Sequence, residues 1–237
     1  MCTVSWLHRP GGYHLLCNRD EKRTRAAAAA PRELQCNGVR YIAPIDPDRG
    51  GTWIAVNEYG LGLCLLNGPA GPTGARSRGL IIPDLVWAGS IDDCALLLRN
   101  TDVTTVAPFT LLMLGADGQA IIARWDGSTL DVNAAADSEM PLTSSSFDAE
   151  GVRRIRLQQF ARHTGGGARL EPSDLYRFHS SHGPSPDAYS PCMHREDAET
   201  VSCSWAVVSP REIRFLYLPV APCRWSPGDQ QILARAA

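Results

Sequence analysis

Cys2-Thr3-Val4-Ser5-Trp6-Leu7-His8-Arg9-Pro10-Gly11-Gly12-Tyr13-His14-Leu15-Leu16-Cys17-Asn18-Arg19-Asp20-Glu21 is the stretch from which the rest of the chain is best read. Two apolar runs, Thr3 to Leu7 and Tyr13 to Cys17, flank Arg9-Pro10-Gly11-Gly12, and a proline followed by two glycines supplies the turn between them. The stretch predicts a β-hairpin. A hairpin returns the end of its second strand to the start of its first, so Asn18, Arg19 and Asp20 are expected within side-chain reach of Cys2.

That juxtaposition has chemical content. Methionine is normally removed when the second residue is small, which would leave Cys2 with a free α-amino group beside its thiol. A thiolate attacks carbonyl carbon, and an amine with a pKa of about 8 can take the thiol proton near neutral pH. The Asp20 carboxylate can orient an α-ammonium, and the Arg19 guanidinium can lower a thiol pKa or bind an anionic group. The blander reading of the same residues is an incidental cysteine beside a charged turn.

Outward from the hairpin, Val39 to Ala43, Thr52 to Asn57 and Leu61 to Leu66 read as strands, and Gly68 to Gly79 as an exposed Gly/Pro-rich loop. Leu80 to Trp87 and Ile91 to Leu98 read as helices, the second with Asp92 and Asp93 in its first turn. Phe109 to Leu114 and Ala120 to Trp125 form a hairpin. Ala149 to His163 has helical spacing, with Arg153, Arg154 and Arg156 directed to solvent and Gly165-Gly166-Gly167 ending it. Val201 to Ser209 and Ile213 to Pro219 make a last hairpin, and Ala26 to Ala30 is one helical turn or an irregular arm. Strands at both ends with helices between them suggest an α+β domain of stacked sheets covered by helices.

The 237 residues, 44% hydrophobic and 20% charged, can bury one core as a single domain over residues 1–237. A net charge of -2 leaves no basic footprint for nucleic acid. No apolar window approaches the roughly 20 residues of a membrane span, and the start lacks the features of a signal peptide. A cytoplasmic chain with no membrane insertion is expected. Eight cysteines, none in a C-x-x-C pair, read as reduced core residues. His179-x-x-His182 with Cys192 and His194 fits no standard zinc finger, and Pro184 and Pro186 imply an irregular loop of solvated histidines. The expectation is no metal and no cofactor; oligomeric state is not legible.

Met1-Cys2-Thr3, Cys17-Asn18-Arg19-Asp20-Glu21, Gly50-Gly51-Thr52-Trp53-Ile54-Ala55-Val56-Asn57, Gly60-Leu61-Gly62 and Ser77-Arg78-Gly79 together resemble the NRDE family, which includes the transport and Golgi organisation proteins. More distantly, Val56-Asn57-Glu58-Tyr59-Gly60-Leu61-Gly62-Leu63 and Leu66-Asn67-Gly68-Pro69 look like a hairpin of the choloylglycine hydrolase and penicillin acyltransferase group. The resemblance implies a four-layer αββα sandwich of two antiparallel sheets and the chemistry of an N-terminal nucleophile (Ntn) hydrolase. Cys2 would be the nucleophile, with Arg19 and Asp20 around its thiol and amine. Asn67 would serve the oxyanion hole, where one preorganised donor contributes about 3 kcal/mol; otherwise it is a turn residue. Asn18, Trp53, Arg78, His194 and Arg195 are the expected substrate-binding residues.

The chain departs from the hydrolase pattern twice. Leu142-Thr143-Ser144-Ser145-Ser146 stands where those enzymes carry a second asparagine, so the Ser144 hydroxyl would replace an amide, and Thr200-Val201-Ser202 has valine where an arginine is expected, with Arg195 as its possible substitute. Two functions follow. One is a cysteine hydrolase or acyltransferase that cleaves an amide or thioester of a small acyl substrate through an acyl-thioester on Cys2. The other is a non-catalytic binding or trafficking module for a lipid-like, acyl-CoA or haem ligand, which would keep Met1.

Overall fold

Strand β1 (Cys2–Arg9) turns through Pro10 and Gly11 into β2 (Gly12–Lys22), placing Cys2 opposite Arg19 and Thr3 opposite Asn18, as expected. Gly11 has φ +73°, and a Cβ at Gly12 would lie 2.0 Å from the Val208 carbonyl oxygen, so this turn requires both glycines. The structure, a computed structural model, describes residues 2–165, 170–183, 185–224 and 228–236. Met1, Gly166, Gly167 and Pro184 lie outside them.

The elements continue as β3 (Ala29–Cys36), β4 (Val39–Ile45), β5 (Ile54–Asn57), β6 (Gly62–Asn67), α1 (Ile81–Leu85) and α2 (Ile91–Arg99). Then come β7 (Phe109–Leu114), β8 (Ala120–Trp125), β9 (Leu130–Ala134), β10 (Leu142–Ser144), α3 (Ala149–Thr164), α4 (Pro172–His179), β11 (Ala198–Val208), β12 (Glu212–Leu218) and β13 (Asp229–Ala234). They form two antiparallel sheets, β10-β1-β2-β11-β12-β13 and β3-β4-β5-β6-β7-β8-β9. The α+β class and the two-sheet sandwich agree with the sequence reading.

The central strands of the second sheet are apolar on both faces. Ile54, Val56, Cys64, Leu66, Leu112 and Ile122 pack against Val4, Trp6, Leu15, Cys17 and Phe215 of the first sheet. Their neighbours Leu63, Leu65, Leu111 and Met113 pack against Ile81, Leu85, Cys94 and Leu98 of α1 and α2. Such strands read as unbroken apolar runs because neither face meets water. A fully buried side chain such as Leu15 contributes about 1.5–3 kcal/mol. Helices α3 and α4 cover the other sheet on its outer face.

Three local readings are corrected. Ala29 and Ala30 open strand β3 and form no helical turn, because the run is paired along β4. The helix expected over Leu80 to Trp87 is shorter, beginning as a 3-10 turn at Arg78–Leu80 before α1. Arg156 is fully buried in α3, not solvated, because polar groups of β1, β2 and the segment after α4 converge on its guanidinium. The sequence reading also passed over β9, β10, α4 and β13.

Candidate active site

Side chains alternate along β1 and β2, so Cys2, Val4, Cys17 and Arg19 face the second sheet, whereas Thr3, Asn18 and Asp20 face the helices. At the open end of the sandwich the inward set meets β5, β6 and the loop before α1. The result is a polar cleft lined by Cys2, Arg19, Asp20, Trp53, Asn67 and Arg78 among others.

Cys2 is 8% exposed at its floor. A hydrogen bond with Cys17 and then burial push its thiol well above the ordinary cysteine range, so little thiolate exists without a base. The Cys2 nitrogen donates to Ser144 Oγ at 3.0 Å, a contact set by the pairing of Cys2 with Ser144 between β1 and β10. Ser144 thus stands at the nitrogen of Cys2.

Arg19, directly across the ladder from Cys2, lays its guanidinium over the Trp53 ring at 4.5 Å from the centroid. Its Nη2 lies 3.6 Å from Glu21 Oε2 and 3.5 Å from Asp46 Oδ2. Arg25 pairs with the same two carboxylates and, through Nε at 3.4 Å, with Asp48. Arg78 differs: it is half-buried, donates to the Pro108 carbonyl at 3.0 Å, and has no carboxylate partner among the described residues. Burial lowers its pKa, which marks a guanidinium short of counter-charge. The wall beside it is backbone, since a Cβ on Gly51 would lie 2.5 Å from the Gly79 carbonyl carbon and Thr52 N donates to the Gly79 oxygen at 2.9 Å.

Asp20 borders the cleft, but its carboxylate is wholly buried on the helical side of the sheet. Thr200 Oγ1 donates to Oδ1 at 2.6 Å and Arg156 Nη2 lies 3.4 Å from Oδ2. Thr200 sits beside a bulge in β11, with Val201 the extra residue between the Thr200–Asp20 and Ser202–Arg19 pairs. Asn67 ends β6, exposed on the cleft wall. Cys2, Arg19, Asp20, Trp53, Asn67 and Arg78 are therefore brought together, with Ser144 behind Cys2.

The remaining candidates lie elsewhere. Asn18 is fully buried on the helical face, donating to the carbonyls of His179 at 2.8 Å and Pro191 at 2.9 Å, which makes it a strut and not a substrate contact. Arg195 pairs with Asp197 at 2.8 Å and covers the Phe147 ring, so it does not stand in for the arginine absent at Val201. His194 turns towards Cys192 and Cys223, away from the cleft. Arg25, Asp46, Arg156 and Thr200 also border or support the cleft with no local pattern to announce them, whereas Glu21 carried a signal as part of the motif after Cys17.

Comparison with known proteins agrees with this architecture. The Transport and Golgi organisation 2 family profile matches residues 1–150. No curated protein matches the chain. An N-acylethanolamine-hydrolyzing acid amidase ortholog from Caenorhabditis elegans superposes with a TM-score of 0.66 at 12% identity, covering 98% of this chain and 100% of that one. Penicillin V acylase from Agrobacterium tumefaciens gives 0.57 at 11% identity, over 92% of this chain and 83% of that one. A mutant conjugated bile acid hydrolase from Clostridium perfringens gives 0.55 at 13%, over 100% and 97%. All three share the Ntn-hydrolase fold, and at these identities the likeness is one of fold.

Proposed function

The chain belongs to the Transport and Golgi organisation 2 family, and from that premise we propose that it is an N-terminal cysteine hydrolase or acyltransferase acting on an amide or thioester. The observation that carries this reading is the placing of Cys2 at a strand end, on the floor of a polar cleft, with Arg19 across the ladder and Asn67 on the wall. The named amidase, acylase and bile acid hydrolase of the same fold support it.

With Met1 removed, the α-amine of Cys2 takes the thiol proton, held in place through its bond to Ser144 Oγ. The thiolate forms a bond to the substrate carbonyl carbon, and the oxyanion is met by Asn67 and backbone N–H groups. Collapse breaks the C–N or C–S bond, and the α-ammonium returns its proton to the leaving group. Water, or an acceptor amine, then attacks the acyl-thioester with the α-amine again as base, releasing acid or a new amide and restoring the thiol. Arg78, without a carboxylate partner among the described residues, offers its charge to an anionic end of the substrate.

The test combines intact mass with turnover of a panel of N-acyl amides and acyl thioesters. Loss of Met1, turnover by the parent, and loss of most turnover in both Cys2→Ala and Cys2→Ser with unchanged folding are expected. Turnover equal to the parent in both variants overturns the role of Cys2. Quantitative retention of Met1 leaves the thiol without its base and transfers the cleft to the binding or trafficking reading, which its raised, Cys17-bonded thiol favours.

A further inference from the structure

His182, Cys192, His194 and Cys223 converge on one point at the other side of the first sheet from the cleft. One ligand atom from each lies within 4.8 Å of every other. His194 Nε2 is 3.6 Å from Cys192 Sγ and 3.2 Å from Cys223 Sγ, and the His182 and His194 rings meet edge to face at 5.1 Å. The edges of a tetrahedral Zn²⁺ site with ligands at about 2.0–2.3 Å are themselves about 3.3–3.8 Å. Among the described residues, the buried His182 Nε2 has no hydrogen-bond partner. A buried imidazole nitrogen without a partner, on a ring that belongs to a cluster of two histidines and two thiols, calls for one.

We infer that these four residues bind one zinc ion, a structural site independent of the amidase reading. Two thiolates and two neutral imidazoles balance the charge of Zn²⁺, and soft sulfur with imidazole selects zinc over magnesium or calcium. Four protein ligands leave no open position for substrate. Binding displaces the two thiol protons to solvent and changes no oxidation state. His194 meets the site through Nε2, so its Nδ1 is free to face a carboxylate; Glu199 Oε2 stands 3.7 Å away, its other oxygen tied to Arg23 at 2.7 Å. That is the outer partner that fixes the tautomer of a metal-binding histidine. The sequence reading, which expected solvated histidines, missed the set because Cys223 follows β12 and His179, which seemed to belong, bonds Ser5 Oγ at 2.8 Å instead.

The ion clips the irregular segment between α4 and β11 to the turn after β12. That segment holds the site from behind. Its Ala188 and Tyr189 carbonyls accept from Arg156, and Met193 N donates to the Thr200 hydroxyl that bonds Asp20.

The test uses the full-length protein, purified under reducing conditions, analysed for metal, stripped with chelator, and titrated with Zn²⁺ or Co²⁺ alone. About one zinc per chain is expected, together with thiolate-to-cobalt charge-transfer absorption and tetrahedral ligand-field bands on Co²⁺ addition. Cys192→Ser and Cys223→Ser should each lose zinc and the charge-transfer intensity of one sulfur, while Cys36→Ser keeps both. Stripping should also speed amide exchange in residues 185–195. Absence of metal from the parent with no charge-transfer band on Co²⁺ addition overturns the site, as does full zinc occupancy in both serine variants. A Cys192–Cys223 disulfide that persists in reductant, with no metal bound, would likewise replace it.

Discussion

Arg156 approaches Asp20 from the helical side of the first sheet, Nη2 to Oδ2 at 3.4 Å, and both side chains are wholly buried. The same guanidinium binds the Thr3 hydroxyl and two carbonyls of the segment after α4, so one α3 side chain couples the cleft, the first hairpin and that segment.

Removing one partner of a buried ion pair leaves an uncompensated charge, which costs about 3–5 kcal/mol. Arg156→Met should therefore unfold at markedly lower urea concentration than the parent, and Arg156→Lys should recover part of the loss. Unchanged midpoints for Arg156→Met would show that Asp20 does not depend on this guanidinium.

Ser144 Oγ accepts from the Cys2 nitrogen at 3.0 Å. If that nitrogen is the base, Ser144→Ala should lower kcat/KM about tenfold, the worth of one hydrogen bond, and move the acid limb of its pH profile. Ser144→Thr should restore both. A fall in stability with an unmoved profile would assign Ser144 to the sheet edge alone.

Burial, and secondarily the positive charge of Arg156, push the His179 imidazole down to about 3. In the unfolded chain it protonates near pH 6.5. The unfolded state therefore binds more protons between those limits, and stability falls as pH drops from about 6.5 towards 3, by on the order of 5 kcal/mol in full. Above pH 6.5 the group contributes no slope. Urea midpoints across pH 4–7 should decline less in His179→Gln, whose amide can still meet Ser5 Oγ; parallel declines would place the acid sensitivity elsewhere.

Gly51→Ala sets a methyl 2.5 Å from the Gly79 carbonyl carbon, a backbone atom that cannot rotate away. Overpacking of this kind costs about 1–3 kcal/mol. Because the displaced segment carries Trp53 into β5, a fluorescence shift and weaker substrate binding should accompany the loss. Parent-like fluorescence and KM would show that the cleft wall tolerates the side chain.

How much of this was legible beforehand depends on the range of each signal. The turn at Pro10-Gly11-Gly12 and the apolar runs on either side sufficed to set Cys2 against Arg19, because pairing across a tight turn is fixed by a few consecutive residues. The helix at Ala149 was legible from its spacing, but the direction of Arg156 was not. The periodicity of α3 is weak, and an arginine counts as polar until a buried carboxylate is found opposite it. β10 was passed over because three residues show no alternation.

The sequence alone was enough for the α+β class, the first hairpin and the pairing of Cys2 with Arg19 at its open end. The hairpin and the stacked sheets follow from local turn chemistry and from apolar runs long enough to show which segments are buried, whereas the sandwich of two antiparallel sheets came from the family resemblance of the motifs. Tertiary structure alone decided which face each polar residue serves. Asn18 became a strut, Asp46 came to share Arg19 with Glu21, and Cys223 joined a histidine 29 residues away. Those relations depend on strand order and on how helices lie across a sheet, and contacts between distant segments leave no period in the chain that makes them.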